Sequence, residues 1–348
     1  FKLALGTSVA LCALSSVAFA APVTQSTKAV LADESMLLKA GVKVLATEPS
    51  TGVAYGEITA DQERKISVLA HEAGKCGGFE MLPESTHKGL TAQSPLLTHV
   101  FGQLAEREAL NKRFTPNSSR FNAMLLNPTI ANAVDEVSAD NLKKTVVAMA
   151  SFSNRTYNGK MPNDGVNALK GMIEATVKDA TVPVVVELVD HRSIGQKSIR
   201  ARIVGSKRPN EIVILGGHLD SINQDWFGSK AAPGADDNAS GSANILEALR
   251  IISHQEAAPE RTIEFMWYAG EEGGLIGSAE IASDYKAQGK DVVGVLQLDM
   301  TLFPGDGAFT LGSMTDFTSA WLRSYFENLN SLYIKAKVVQ DKCGYGCS

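Results

Sequence analysis

Glu211-Ile212-Val213-Ile214-Leu215-Gly216-Gly217-His218-Leu219-Asp220 is the stretch from which the fold can be read. Four apolar residues in a row, Ile212 to Leu215, have no polar alternation, so they read as a strand covered on both faces. A glycine pair ends it, and an imidazole and a carboxylate follow at once. The same order recurs downstream: the apolar run Thr262 to Tyr268 leads to Glu271-Glu272, and Val292 to Leu298 leads to Asp299. Between them, Gly241 to His254 sets Ile245, Ala248, Leu249 and Ile252 on one helical face, directly after Asp236-Asp237-Asn238. A further helix is predicted near 278–288. Helices at about 140–151 and 166–179 and strands at Val184 to Val189 and Ser198 to Val204 complete the upstream pattern. Apolar strands alternating with helices imply an α/β fold with a mostly parallel central sheet and helices on both faces. Ligands bind such sheets beyond the carboxyl ends of the strands.

Composition narrows the choice of partners. The 348 residues suggest about two domains. With 44% hydrophobic and 20% charged residues the chain is globular, which excludes a disordered or low-complexity protein. A net charge of -5 without a basic cluster removes the usual electrostatic basis for binding nucleic acid.

Residues 1–20 read as a secretory signal peptide: Lys2, an apolar stretch, then Ala18-Phe19-Ala20 as the cleavage site. Gly6, Thr7, Ser8, Ser15 and Ser16 interrupt the stretch, which argues against a membrane anchor. A secreted or periplasmic protein with no anchor after signal removal is expected. Cys12 leaves with the signal and Cys76 stands alone. Cys343 and Cys347, separated by Gly344-Tyr345-Gly346, suit a local disulfide in an oxidising compartment better than half of a zinc site, since no second Cys or His pair lies nearby. Residues 21–105 carry no recognisable chemical constellation. Residues 106–120, with Arg107, Lys112, Arg113, Pro116 and Asn117, read as an exposed linker and processing region. The main domain is then 121–348.

The candidate ligands are four positions far apart in sequence, predicted to meet on one rim. Hard carboxylate oxygens with a single imidazole suit divalent zinc or its close relatives. Singly, each has a plainer explanation: a structural His, an Asp-Asp-Asn helix cap, a solvated Glu pair. Together they are harder to dismiss, because adjacent carboxylates at the end of a buried strand carry a desolvation cost that a cation would offset.

Gly216-Gly217-His218-Leu219-Asp220-Ser221, Pro233-Gly234-Ala235-Asp236-Asp237-Asn238-Ala239-Ser240-Gly241, Ala269-Gly270-Glu271-Glu272-Gly273-Gly274-Leu275-Ile276-Gly277-Ser278 and Leu296-Gln297-Leu298-Asp299-Met300 resemble the motifs of the secreted bacterial leucyl aminopeptidases, which are co-catalytic dizinc metallopeptidases. The resemblance runs from about Leu142 to the end. It implies that Asp237 bridges two Zn2+ ions, that His218 and Asp299 complete one of them, and that Glu272 binds the other. Glu271 would be the general base acting on a dizinc-bound hydroxide, Asp220 would fix the His218 tautomer, and Met300 and Tyr345 would wall the substrate pocket. The two ions bring +4 against -3 from Asp237, Glu272 and Asp299 and -1 from the hydroxide, a neutral centre.

A further His normally completes the second zinc, after the turn joining Cys343 to Cys347. None of His71, His87, His99, His191 or His254 lies there, so the sequence reads as a precursor truncated at the C-terminus. The segment around Cys76-Gly77-Gly78-Phe79 is similar to the precursor region that the family cuts away on maturation, and the resemblance thus implies a pro-segment at 21–105 and a catalytic domain at 121–348. The implied protein is a monomeric, secreted aminopeptidase that removes apolar, leucine-like residues from peptide or protein N-termini, with its own pro-segment as partner. A dizinc carboxypeptidase and a catalytically silent binding domain on the same fold are the alternatives.

Overall fold

The computed structural model describes residues 26–83, 90–113, 124–223, 231–303, 305, 307 and 309–348. The signal peptide expected at 1–20, His87 and residues 114–120 of the expected processing region lie outside these residues.

The N-terminal segment builds its own sheet. β1 (Lys28–Asp33), β2 (Val44–Thr47), β3 (Val53–Ile58) and β4 (Phe79–Met81) pair antiparallel in the order β2-β3-β1-β4. The apolar interior of β1 has no alternation because both its faces are covered. Val30 and Ala32 pack with Leu37 of α1 (Glu34–Lys39) and Ile66 of α2 (Ala60–Glu72). On the other face Ala29 and Leu31 pack with Leu97 and Leu104 of α3 (Pro95–Arg113). Helix α2 begins at a reciprocal cap in which the Thr59 hydroxyl accepts the Gln62 N–H at 3.3 Å and Gln62 Oε1 accepts the Thr59 N–H at 3.0 Å. Residues 106–113, read from their charge as the start of a linker, form the last turns of α3. Asn111 fastens them, donating to Thr318 O at 2.8 Å and accepting from Ala320 N at 3.0 Å. The charges are the solvent side of a helix whose other side carries Leu97 and Leu104.

The second unit holds α4 (Pro128–Asp135), α5 (Ala139–Ala150), α6 (Asp164–Val177), β5 (Val185–Val189), β6 (Ser198–Ile203), β7 (Arg208–His218), α7 (Gly241–Ser253), β8 (Arg261–Tyr268), α8 (Ile276–Ala287) and β9 (Asp291–Gln297). Its sheet runs β5-β6-β8-β7-β9. The strands that lead to the candidate ligands, β8, β7 and β9, are parallel as expected. β5 and β6 join antiparallel, so the whole sheet is mixed. The short 190–197 connection between them has no room for a crossover helix. Helices cover both faces: α5, α6 and α7 bury Met149, Leu169, Ile173, Ile245 and Leu249 against Ile199, Phe265 and Trp267, while Ile281 and Tyr285 of α8 lie over Ile212, Ile214 and Met266. Each fully buried aliphatic side chain contributes about 1.5–3 kcal/mol. Farther along, β10 (Thr310–Met314) and β11 (Lys337–Asp341) pair parallel around α9 (Ala320–Leu329). Cys343 and Cys347 are joined in a disulfide as expected, their Cα atoms 5.8 Å apart. Among the described residues no helix is long and apolar enough to cross a membrane.

Candidate metal centre

His218 is the last residue of β7 and is fully buried, and the Ser242 hydroxyl of α7 holds its carbonyl at 3.0 Å. Its Nε2 lies 2.9 Å from Asp237 Oδ1, 3.5 Å from Asp299 Oδ1 and 4.0 Å from Glu271 Oε2. Asp237 reaches this point from the irregular turn that precedes α7. Asn238 fixes that turn, donating to Leu298 O at 2.9 Å and accepting the Gly241 N–H at 2.9 Å. Asp236, its neighbour, points elsewhere and accepts the Leu302 N–H at 2.8 Å. Glu271 and Glu272 enter from the turn after β8, and Asp299 from the end of β9. Three parallel strands therefore bring these candidate ligands to one rim.

Asp220 lies beneath them, fully buried. It accepts the backbone N–H of Glu271 at 3.1 Å and of Glu272 at 3.3 Å and faces His218 Nδ1 at 3.4 Å. Arg155 ties the Asp237 turn to the β7 end, donating to Leu219 O, Met149 O, Pro233 O and Gly234 O. Burial lowers its pKa to about 10, still cationic at neutral pH.

The electrostatics are those of a cation site. His218 Nδ1 and Nε2, Glu271 Oε1, Glu272 Oε2 and both Asp299 oxygens are buried and make no hydrogen bond. Burial pushes the Glu271 and Glu272 carboxyls well above their ordinary range. Burial also works against charge on His218, yet the carboxylates of Asp299 and Glu271 hold its pKa well up. Asp237, in spite of burial, is held low by its two imidazole neighbours, His218 and His71. Acids crowded this closely in a buried site either keep their protons or are offset by a cation. The donor set of carboxylate oxygens and imidazole nitrogens fits a divalent ion.

Residues for which the sequence suggested no chemistry complete the cluster. Cys76, fully buried in the N-terminal segment, places Sγ 3.5 Å from Glu271 Oε2 and 3.6 Å from Asp237 Oδ2. His71, at the end of α2, places Nε2 3.6 Å from Asp237 Oδ2 and 3.8 Å from Glu272 Oε2. Two sets of donor atoms lie close enough to share an ion: His71, Cys76, Asp237 and Glu272, and Cys76, His218, Asp237 and Asp299. The sequence reading of 21–105 as chemically empty is thus corrected. The only available signal was a His and a Cys five positions apart across a helix end, which is common by chance.

The two expected pocket residues have different surroundings. Met300 adjoins Asp299 but is 38% exposed. Tyr345 packs edge-on to Phe317, ring centroids 5.1 Å apart, and its hydroxyl donates to Glu80 of β4.

A mixed α/β sheet with an acidic, imidazole-bearing cluster at the ends of its parallel strands defines the class: an α/β protein with a candidate metal centre at the sheet's carboxyl edge. Residues 198–348 match the model of Peptidase family M28. The chain is 36% identical over 224 residues to a probable leucine aminopeptidase of Trichophyton verrucosum, covering 63% of this chain and 60% of that protein. It is 34% identical over 256 residues to leucine aminopeptidase 1 of Pyrenophora tritici-repentis, covering 70% and 65%. It therefore spans about three-fifths of the length of these relatives. Among solved structures, the LapA aminopeptidase of Legionella pneumophila shares the fold with a TM-score of 0.71 at 24% identity, covering 93% of this chain and 83% of that one. LapB of the same organism does so with a TM-score of 0.74 at 20% identity, covering 93% and 84%.

Proposed function

We propose that the protein is a secreted metallo-aminopeptidase made as a precursor, in which a signal at 1–20 and a pro-segment at 21–105 precede a catalytic domain that holds two zinc ions. One observation carries this reading: two sets of ligand atoms share Asp237, with the buried Glu271 carboxylate beside both. His218 and Asp299 would hold one ion, Glu272 the other, and Asp237 both. When bound, such ions lower the pKa of a coordinated water toward ~7 and polarise the scissile carbonyl.

The chain's own residues supply the rest. Glu271 is buried and unpaired at Oε1, placed to take a proton from the attacking water and give it to the leaving amine. Asp220 holds the backbone of both glutamates and faces His218 Nδ1 at 3.4 Å, from where its charge would favour the tautomer that leaves Nε2 free for an ion. Nearby carboxylates would receive the free α-amine of the substrate. Met300 and Tyr345 would shape an apolar pocket for a leucine-like side chain. The kinship with leucine aminopeptidases supports amino-terminal over carboxy-terminal specificity.

The test offers leucyl-4-nitroanilide and a peptide with a C-terminal reporter to the protein after proteolytic removal of its N-terminal segment, with bound metal measured in parallel. Chelator-sensitive release of leucine, with about two zinc ions per chain as two shared-ligand sets require, is the expected result. Release from the C-terminal reporter would instead make the protein a carboxypeptidase. A chain without tightly bound zinc would be a silent binding domain.

A further inference from the structure

We infer that the N-terminal segment supplies metal ligands of its own, with Cys76 Sγ bridging the two ions at the position of the attacking water and His71 Nε2 completing the ion held by Glu272. This rests on the dizinc reading above and assigns that site its built-in occupant.

The geometry carries it. Cys76 and Asp237 are the two residues common to both ligand sets, so the sulfur, like the Asp237 carboxylate, sits between the two ion positions. It also lies 3.5 Å from Glu271 Oε2, the carboxylate assigned to the attacking water. A second observation points to the ion itself: Glu272 Oε2 and His218 Nε2, both on side chains at least nine-tenths buried, are aimed into this space without a hydrogen bond. His71 is oriented for ligation. Its Nδ1 faces the Ser67 carbonyl at 2.8 Å and so carries the proton, which leaves the Nε2 lone pair directed between the Asp237 and Glu272 oxygens.

The backbone around Cys76 is seated to keep it there. Gly78 N–H donates to Gly346 O at 2.9 Å, and Met81 N–H donates to Gly274 O at 2.9 Å, so the strand crosses between the disulfide loop and the turn that carries Glu271. Fit is close on both sides. A Cβ on Gly274 would come within 2.6 Å of the Phe79 ring, and one on Gly346 within 2.5 Å of the Phe79 backbone.

The charges balance. Two divalent ions are met by Asp237, Glu272, Asp299 and one thiolate, the thiol giving its proton to solvent as the metal–sulfur bond forms. The thiolate stands where water would have to bind. The precursor is then held latent by coordination, and cutting the segment away frees one bridging position and one terminal position.

Zinc X-ray absorption on the metal-loaded full chain tests this directly. A sulfur scatterer at ~2.3 Å is expected, a distance unlike the ~2.0–2.1 Å of nitrogen and oxygen ligands. It should vanish in Cys76→Ser, with zinc still bound through the remaining ligands. Cobalt(II) loading gives an independent reading, a sulfur-to-metal charge-transfer band present in the wild type and lost in the variant. Zinc bound by the wild-type chain with only nitrogen and oxygen neighbours overturns the inference and leaves the peptidase reading intact. A full chain that takes up no zinc overturns both.

Discussion

Asp220 Oδ1 accepts the backbone N–H of Glu271 at 3.1 Å, which couples the end of β7 to the turn after β8. The same carboxylate takes the Glu272 N–H and faces His218, so one buried side chain positions residues from two strands. Asp220→Asn keeps the shape and removes the charge. Metal affinity should fall about 10–100-fold. Competition against a chromogenic chelator measures this, and unchanged affinity would remove Asp220 from the site's support.

Glu271 is assigned proton transfer and no ligand bond. Glu271→Gln should therefore retain its zinc while hydrolysis of leucyl-4-nitroanilide drops by roughly 10²–10⁴-fold. Metal content and turnover are measured on wild type and variant prepared identically, each after proteolytic removal of the N-terminal segment. A variant that loses zinc in proportion to its rate would make Glu271 a ligand.

Arg155 is 3% exposed and serves four carbonyls at the base of the Asp237 turn. Arg155→Met strands those carbonyls and should cost about 3 kcal/mol or more of stability. Arg155→Lys should recover little, since one ammonium cannot reproduce the planar fork. Urea denaturation of the three proteins decides it, and a fully stable lysine variant would contradict the role given to the guanidinium.

Glu80 links pH to the seating of the N-terminal segment. Burial raises its pKa above the usual carboxylate range, with the Tyr345 hydroxyl only partly opposing. The folded chain therefore keeps this proton at pH values where the unfolded chain, with a Glu pKa of ~4.3, has lost it. Glu80's contribution to stability must decline as pH rises from about 4 through the folded pKa, then level off. Gln at this position does not titrate. Glu80→Gln should gain stability relative to wild type over that interval, read from denaturation midpoints at a series of pH values. A difference that shrinks with rising pH would show the carboxylate to be better accommodated charged than neutral.

The rim where these candidate ligands meet was legible because its grammar is local. Each of His218, Glu271, Glu272 and Asp299 follows an apolar strand within a few residues, and parallel strands must end on the same side. Asp237 was legible as the residue before a helix with a clear apolar face. Residues 106–113 were misread because a charged run on a helix resembles a linker when its buried partners, such as the Thr318 carbonyl, lie two hundred residues away.

The sequence by itself determined the central strands and helices, the edge of the sheet where the ligands gather, and the residue types fit to hold a divalent ion. It did so because hydrophobic period and strand order act over short spans of chain. Only the tertiary structure decided that Cys76 and His71 enter the same cluster. Cys76 meets Asp237 across 161 residues. That meeting is made by the docking of an antiparallel sheet against the Gly274 turn and the Gly346 loop, a matter of shape and backbone hydrogen bonding between distant segments that leaves no periodic trace in either.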